Sequence, residues 1–101
     1  MSVYSISGER GHFAISGELG FDTVNGLLQQ SRDTLFADAS ARLELELGGV
    51  TRVDSAGLAL LIEWMRMARS GNQAIYFHNL PEQLLAIARA GEVDSLLPTV
   101  D

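Results

Sequence analysis

Apolar and polar residues alternate in four stretches of the chain and recur at helical spacing in three others. Residues 3–7 place Tyr4 and Ile6 on one face and Ser5 and Ser7 on the other, and residues 12–16 align Phe13 with Ile15. Gly8-Glu9-Arg10-Gly11 between them supplies the turn chemistry of an antiparallel hairpin. Residues 17–22 are then expected to leave the sheet. Asp22 or Thr23 starts a helix with Val24, Leu27, Leu28 and Leu35 on its apolar side, weakened slightly by Gly26. Asp38-Ala39-Ser40 reads as a connector. Residues 42–47 alternate strictly, with Gly48-Gly49 expected to end that strand and residues 50–53 leading to a second helix start.

That second helix begins at Asp54 or Ser55, either of which can cap it, and stops at Ser70-Gly71-Asn72. Arg66 and Arg69 lie favourably towards its negative end. Residues 73–78 return as a strand with Ile75 and Phe77 aligned. Pro81 opens a third helix carrying Leu84, Leu85, Ile87 and Ala88, which Gly91 ends, and residues 93–97 form a short apolar tail. The order β-β-α-β-α-β-α predicts an α/β fold: a mixed sheet, an N-terminal hairpin and then parallel strands joined by right-handed crossovers. Each strand has one polar face, and Glu44 with Glu46 resists burial, so all helices are expected on one face of the sheet. Residues 1–101 are read as one domain.

The second helix is more apolar than a one-sided surface helix needs. At about 100° per residue, Ala56, Leu60, Leu61, Trp64, Met67 and Ala68 share the side expected to meet the sheet, and Leu58 and Met65 widen that sector to roughly 200°. Ala59 and Ile62 fall among Ser55, Glu63, Arg66, Arg69 and Ser70 on the remaining arc. Two readings fit them: ordinary scattered surface apolar residues, or a partner-binding face anchored by Ile62 and rimmed by Glu63 and Arg66. Gly57 would let another segment approach the first turn closely.

Composition narrows the function. The chain is 47% hydrophobic and 20% charged, with a net charge of −6, and all of its basic residues are arginine. No basic stripe is available for phosphates or for a basic membrane anchor, so neither nucleic-acid binding nor direct membrane insertion is expected. Cysteine is absent, which removes disulfides and thiolate chemistry. Residues 1–6 lack the basic and apolar regions of a signal peptide, and the run from Ala56 to Ile62 is far shorter than a membrane span. A cytoplasmic location is expected.

Nothing assembles a catalytic set. His12 and His78 both fall on polar strand faces, no Gly-x-Ser-x-Gly elbow surrounds Ser55, and no phosphate loop or metal-loop spacing occurs. No enzyme activity, cofactor or metal is expected. Ser55 is either a plain helix-start residue or a modification site. A phosphate there would be expected to meet free backbone N–H groups at the positive end of the helix, while adding about −1.5 to −2 charges beside Asp54.

The pentad Asp54-Ser55-Ala56-Gly57-Leu58, between an alternating strand and an apolar helix, resembles the Asp-Ser/Thr-x-Gly-Leu motif of STAS domains, the sulfate-transporter and anti-sigma-factor-antagonist family. Gly17-Glu18-Leu19 is similar to that family's Gly-Glu-Leu/Ile-Asp segment, and the stretch from Asn79-Leu80-Pro81 to Gly91 to its third-helix region. The resemblance implies a STAS fold. Residues 53–61 are most similar to the MlaB branch, the small STAS subunits of Mla-type phospholipid-transport ABC systems. That likeness implies a non-catalytic subunit that binds an ABC transporter ATPase at the cytoplasmic face of the inner membrane, supporting a transporter that maintains outer-membrane lipid asymmetry. The alternative it implies is an anti-sigma factor antagonist whose partner is an anti-sigma factor kinase and whose phosphoacceptor is Ser55. The expected partner-binding residues are Asp54, Ser55, Ala59, Ile62, Glu63 and Arg66. Two departures stand out: Gly20 replaces the acidic residue usual after Gly-Glu-Leu, and Ala56 replaces the second hydroxyl common among antagonists.

Overall fold

The computed structural model describes residues 3–100, so Met1, Ser2 and Asp101 of the reading above lie outside the described residues. Strands β1 (Tyr4–Glu9) and β2 (His12–Leu19) form the expected antiparallel hairpin. Helix α1 (Val24–Asp33), a 3-10 turn (Leu35–Ala37), β3 (Arg42–Val53), α2 (Ser55–Ser70), β4 (Ala74–His78) and α3 (Glu82–Ala90) follow. A second 3-10 turn (Asp94–Leu96) and a short strand β5 (Thr99–Val100) close the described chain.

The sheet runs β1-β2-β3-β4-β5 in sequence order, and every pair after the hairpin is parallel. Strands added in one direction by crossovers of one hand must lay every crossover helix on the same side. All helices accordingly pack on one face. Leu43, Leu45 and Leu47 point from β3 into that layer with no exposed surface, against Leu60, Leu61 and Trp64 of α2 and Leu27 of α1.

The open face carries the polar alternates. Glu44 sits 2.9 Å from His78 Nε2 and 3.4 Å from Arg42 Nε, while Glu46 accepts from Gly48 N–H and Asn79 Nδ2. The difficulty of burying these carboxylates, inferred from sequence, is met by solvent and by partners.

Three expectations needed correction. β3 does not stop at Gly48-Gly49 but continues to Val53, and β2 does not leave the sheet at Gly17 but runs to Leu19. The two extensions pair with each other through register shifts after Ala14 and after Gly17. A Cβ on Gly49 would stand 2.9 Å from Ser16 Cβ, so this glycine lets the strands approach rather than part. The hairpin turn is correspondingly tighter, since Glu9 already pairs with His12. Third, the apolar tail of residues 93–97 holds the second 3-10 turn, and the chain beyond it adds a fifth strand, whose two residues are too few for any alternation to show.

The remaining differences are local. Leu35 is buried, but in the 3-10 turn after α1 rather than within the helix. Gly26 faces the Tyr4 hydroxyl at a separation no side chain could share, so β1 packs directly onto the backbone of α1 there.

Candidate functional site: the tip of helix α2

The expected site residues fall at the carboxyl ends of β2 and β3, where α2 begins. Asp54, in extended conformation, caps the helix: its Oδ1 accepts from Ala56 N–H at 2.8 Å and Gly57 N–H at 3.3 Å. Its Oδ2 accepts from Phe21 N–H at 3.1 Å, which ties the loop between β2 and α1 to the helix tip. Of the two possible caps, Asp54 is therefore the one used, and Ser55 is the first helical residue. The Phe21 N–H bond, followed by those from Ala56 and Gly57, holds the Asp54 carboxyl below its ordinary pKa against partial desolvation.

Gly57 is required by the same geometry. A Cβ there would lie 2.2 Å from the carbonyl oxygen of Leu19, so the first turn of α2 rests on the end of β2. Gly20 has a related explanation. Its missing Cβ would stand 2.6 Å from Asp54 Oδ2, so the space is filled by the Asp54 carboxylate.

Ser55 is exposed, and among the described residues its hydroxyl has no hydrogen-bond partner. One expectation changes here. The N–H groups that a phosphate on Ser55 was expected to meet are engaged, those of Ala56 and Gly57 by Asp54 Oδ1 and that of Leu58 by the Asp54 carbonyl at 3.3 Å. Any anion on Ser55 would face a carboxylate with few donors in reach.

Along α2, Ala59 is exposed and Ile62 is 41% exposed, whereas Leu58, Leu60, Leu61, Trp64 and Ala68 are buried. Leu58 thus lies in the core, as the widened apolar sector required. Met65, Met67 and Ala56 are half-buried at the margins of that sector. Glu63 and Arg66 bind each other, with Arg66 Nε 3.0 Å from Glu63 Oε1, so this rim is neutralised internally. Asp54, Ser55, Ala59, Ile62, Glu63 and Arg66 all lie on the one helix and its cap, as expected.

Two residues of the tip escaped sequence reading. Phe21 is 78% exposed, and Arg52 reaches across to Glu18 at 3.7 Å. Both border a shallow cleft of about 120 Å³, together with Gly20, Asp22, Thr23 and Asp54. Phe21 carried one signal: it is an aromatic residue outside both the strand alternation before it and the helical spacing after it. The cleft has no histidine in its lining, and His12 and His78 both stand beside Glu44 on the open face of the sheet. Among the described residues no cluster of metal-ligating side chains occurs, and no helix is long and apolar enough to cross a membrane.

A family model described as "Mlab, STAS domain" matches residues 2–98. The fold matches the anti-sigma factor antagonist SpoIIAA in its unphosphorylated form with a TM-score of 0.72, at 15% identity, over 97% of this chain and 88% of that one. It also matches a putative anti-sigma factor antagonist from Thermotoga maritima with a TM-score of 0.75, at 13% identity, over 97% and 86%. SLC26A9 contains the same fold within a much longer chain: TM-score 0.70, 17% identity, 84% of this chain and 16% of that one. No curated protein matches the chain in sequence. At such identities the structural matches establish a shared fold.

Proposed function

The chain belongs to the STAS domain family, and from that membership we propose that it is a non-catalytic regulatory module acting by docking a protein partner at the tip of α2. The observation that carries this reading is the exposed, unbonded hydroxyl of Ser55 at the first position of a helix capped by Asp54.

In the leading version the chain is an anti-sigma factor antagonist whose partner is an anti-sigma factor kinase. The kinase brings ATP, the Ser55 oxygen takes the γ-phosphoryl group, ADP leaves, and the hydroxyl proton passes to the kinase. The phosphate then lies beside the Asp54 carboxylate with the nearest helix N–H groups already occupied. Its charge of about −1.5 to −2 repels that carboxylate and spoils any surface fitted to the unmodified tip. Support comes from the matched structures, which include SpoIIAA in both its unphosphorylated and phosphorylated forms. Incubation with a purified anti-sigma serine kinase and ATP is expected to add one phosphate, seen by intact mass and abolished in Ser55→Ala. An unmodified wild-type chain after incubation with kinases of this class overturns this version.

The second version, favoured by the description of the matching family, makes the chain an accessory subunit of an ABC transporter ATPase in an Mla-type phospholipid transporter. The exposed Ala59–Ile62 line would then lie along the ATPase surface. Copurification at native abundance separates the two: an ABC ATPase supports the second version, and an anti-sigma kinase supports the first.

A further inference from the structure

Phe21 is the most exposed of the large apolar side chains left in solvent by the described residues, yet its backbone sits in a hydrogen-bonded turn. Gly20 N–H donates to Thr23 Oγ1 at 3.0 Å, Thr23 Oγ1 donates to the Glu18 carbonyl at 2.8 Å, and Thr23 and Val24 N–H both return to the Gly20 carbonyl. Thr23 itself is buried. Phe21 N–H is fixed from the other side by Asp54 Oδ2. An aromatic ring presented on ordered backbone adds no backbone ordering cost on binding, which suits an interface anchor.

The charges around the ring define what it fits. Asp22 is exposed and makes no ion pair among the described residues. Glu18 shares its charge with Arg52 at 3.7 Å, and the chain as a whole carries −6. The ring therefore stands in an acidic surround.

We propose that Phe21 is the anchor of the docking surface at the α2 tip, inserting into an apolar socket rimmed by arginine or lysine on the partner protein. This rests on the docking function proposed above and adds to it the contact that supplies most of the affinity. Asp54 acts as the positioning residue, since its carboxylate holds both the helix start and the Phe21 backbone.

Binding of the purified chain to an anti-sigma kinase and, in parallel, to an ABC transporter ATPase is the test, read as association and dissociation rates at two salt concentrations. Phe21→Ala is expected to weaken binding at least tenfold, mainly through faster dissociation, with an unchanged melting temperature. Phe21→Leu should recover most of that loss, and Asp22→Lys should slow association and reduce its salt dependence. Phe21→Ala binding within twofold of wild type overturns the proposal. If Ile62→Asp abolishes binding while Phe21→Ala does not, the α2 line alone is the interface and the proposal also fails. Failure of the wild-type chain to bind either partner instead overturns the docking function itself, and this inference with it. Sedimentation of the chain alone should give a monomer. A dimer dissolved by Phe21→Ala would assign the ring to a second copy and overturn the proposal.

Discussion

Gly57 and Trp64 lie two turns apart on α2, and each is constrained by a single neighbouring atom or by the lack of one. With the Leu19 carbonyl oxygen 2.2 Å from where a Cβ would stand, Gly57→Ala must push the helix start off β2. The contact is with backbone, which yields poorly, so a loss of about 1–3 kcal/mol is expected in denaturant unfolding. Trp64 is fully buried, and its indole N–H has no partner among the described residues. An unsatisfied buried donor is costly, so Trp64→Phe removes a penalty while losing some packing. Its stability should stay within about 1 kcal/mol of wild type, whereas Trp64→Ala should cost about 3–5 kcal/mol through the cavity it leaves.

At the scale of the element, α2 divides cleanly along its length. Leu60 is 1% exposed and Ile62 is 41% exposed, although only Leu61 separates them. Leu60→Ala should therefore cost about 2–5 kcal/mol. Ile62→Asp should leave stability within roughly 0.5 kcal/mol while weakening partner binding. Thermal melts of the two variants, followed by binding of Ile62→Asp, separate core from docking surface; unfolding of Ile62→Asp would mean that it packs inward. β3 shows the opposite relation of pattern to element. Its first half alternates strictly, but its second half, Gly48-Gly49-Val50-Thr51-Arg52, has no such period and is a strand because β2 pairs with it.

Across the whole molecule, three carboxylates tie together segments distant in sequence, and each has its pKa lowered. Asp38, through hydrogen bonds from Ser40 above all and also from Gly11, fixes the connector to the hairpin turn. Glu44, through His78 first and Arg42 next, links β3 to β4. Asp54 joins the loop after β2 to α2. A carboxyl group with a lowered folded-state pKa contributes stability above its unfolded value, and that contribution disappears as pH falls through the folded value. The melting temperature should accordingly be level near neutrality and drop below about pH 4. The gap between wild type and Asp54→Asn should be widest at neutral pH and close as pH falls. A gap that stays constant down to pH 2 would show that the charge of Asp54 does not matter to the cap.

Local chemistry was enough to foresee much of this molecule. Alternation in residues 12–16 and 42–47, helical spacing in residues 56–68 and the helix stops at Gly71 and Gly91 specify these strands, helices and their order, because side-chain direction follows backbone period. The polar alternates Glu44 and Glu46 specify a one-faced sheet, because carboxylates stay near water. The Asp54-Ser55-Ala56-Gly57-Leu58 pentad marks the start of α2, because a helix start needs a cap and a close approach needs a glycine. Only the tertiary structure decided which residue caps the helix, how far β2 and β3 extend, and that Phe21 stands at the tip. Those outcomes depend on groups far apart in the chain, such as Phe21 N–H and Asp54 Oδ2 or Leu19 carbonyl and Gly57, which meet only once the crossovers have brought the strand ends together.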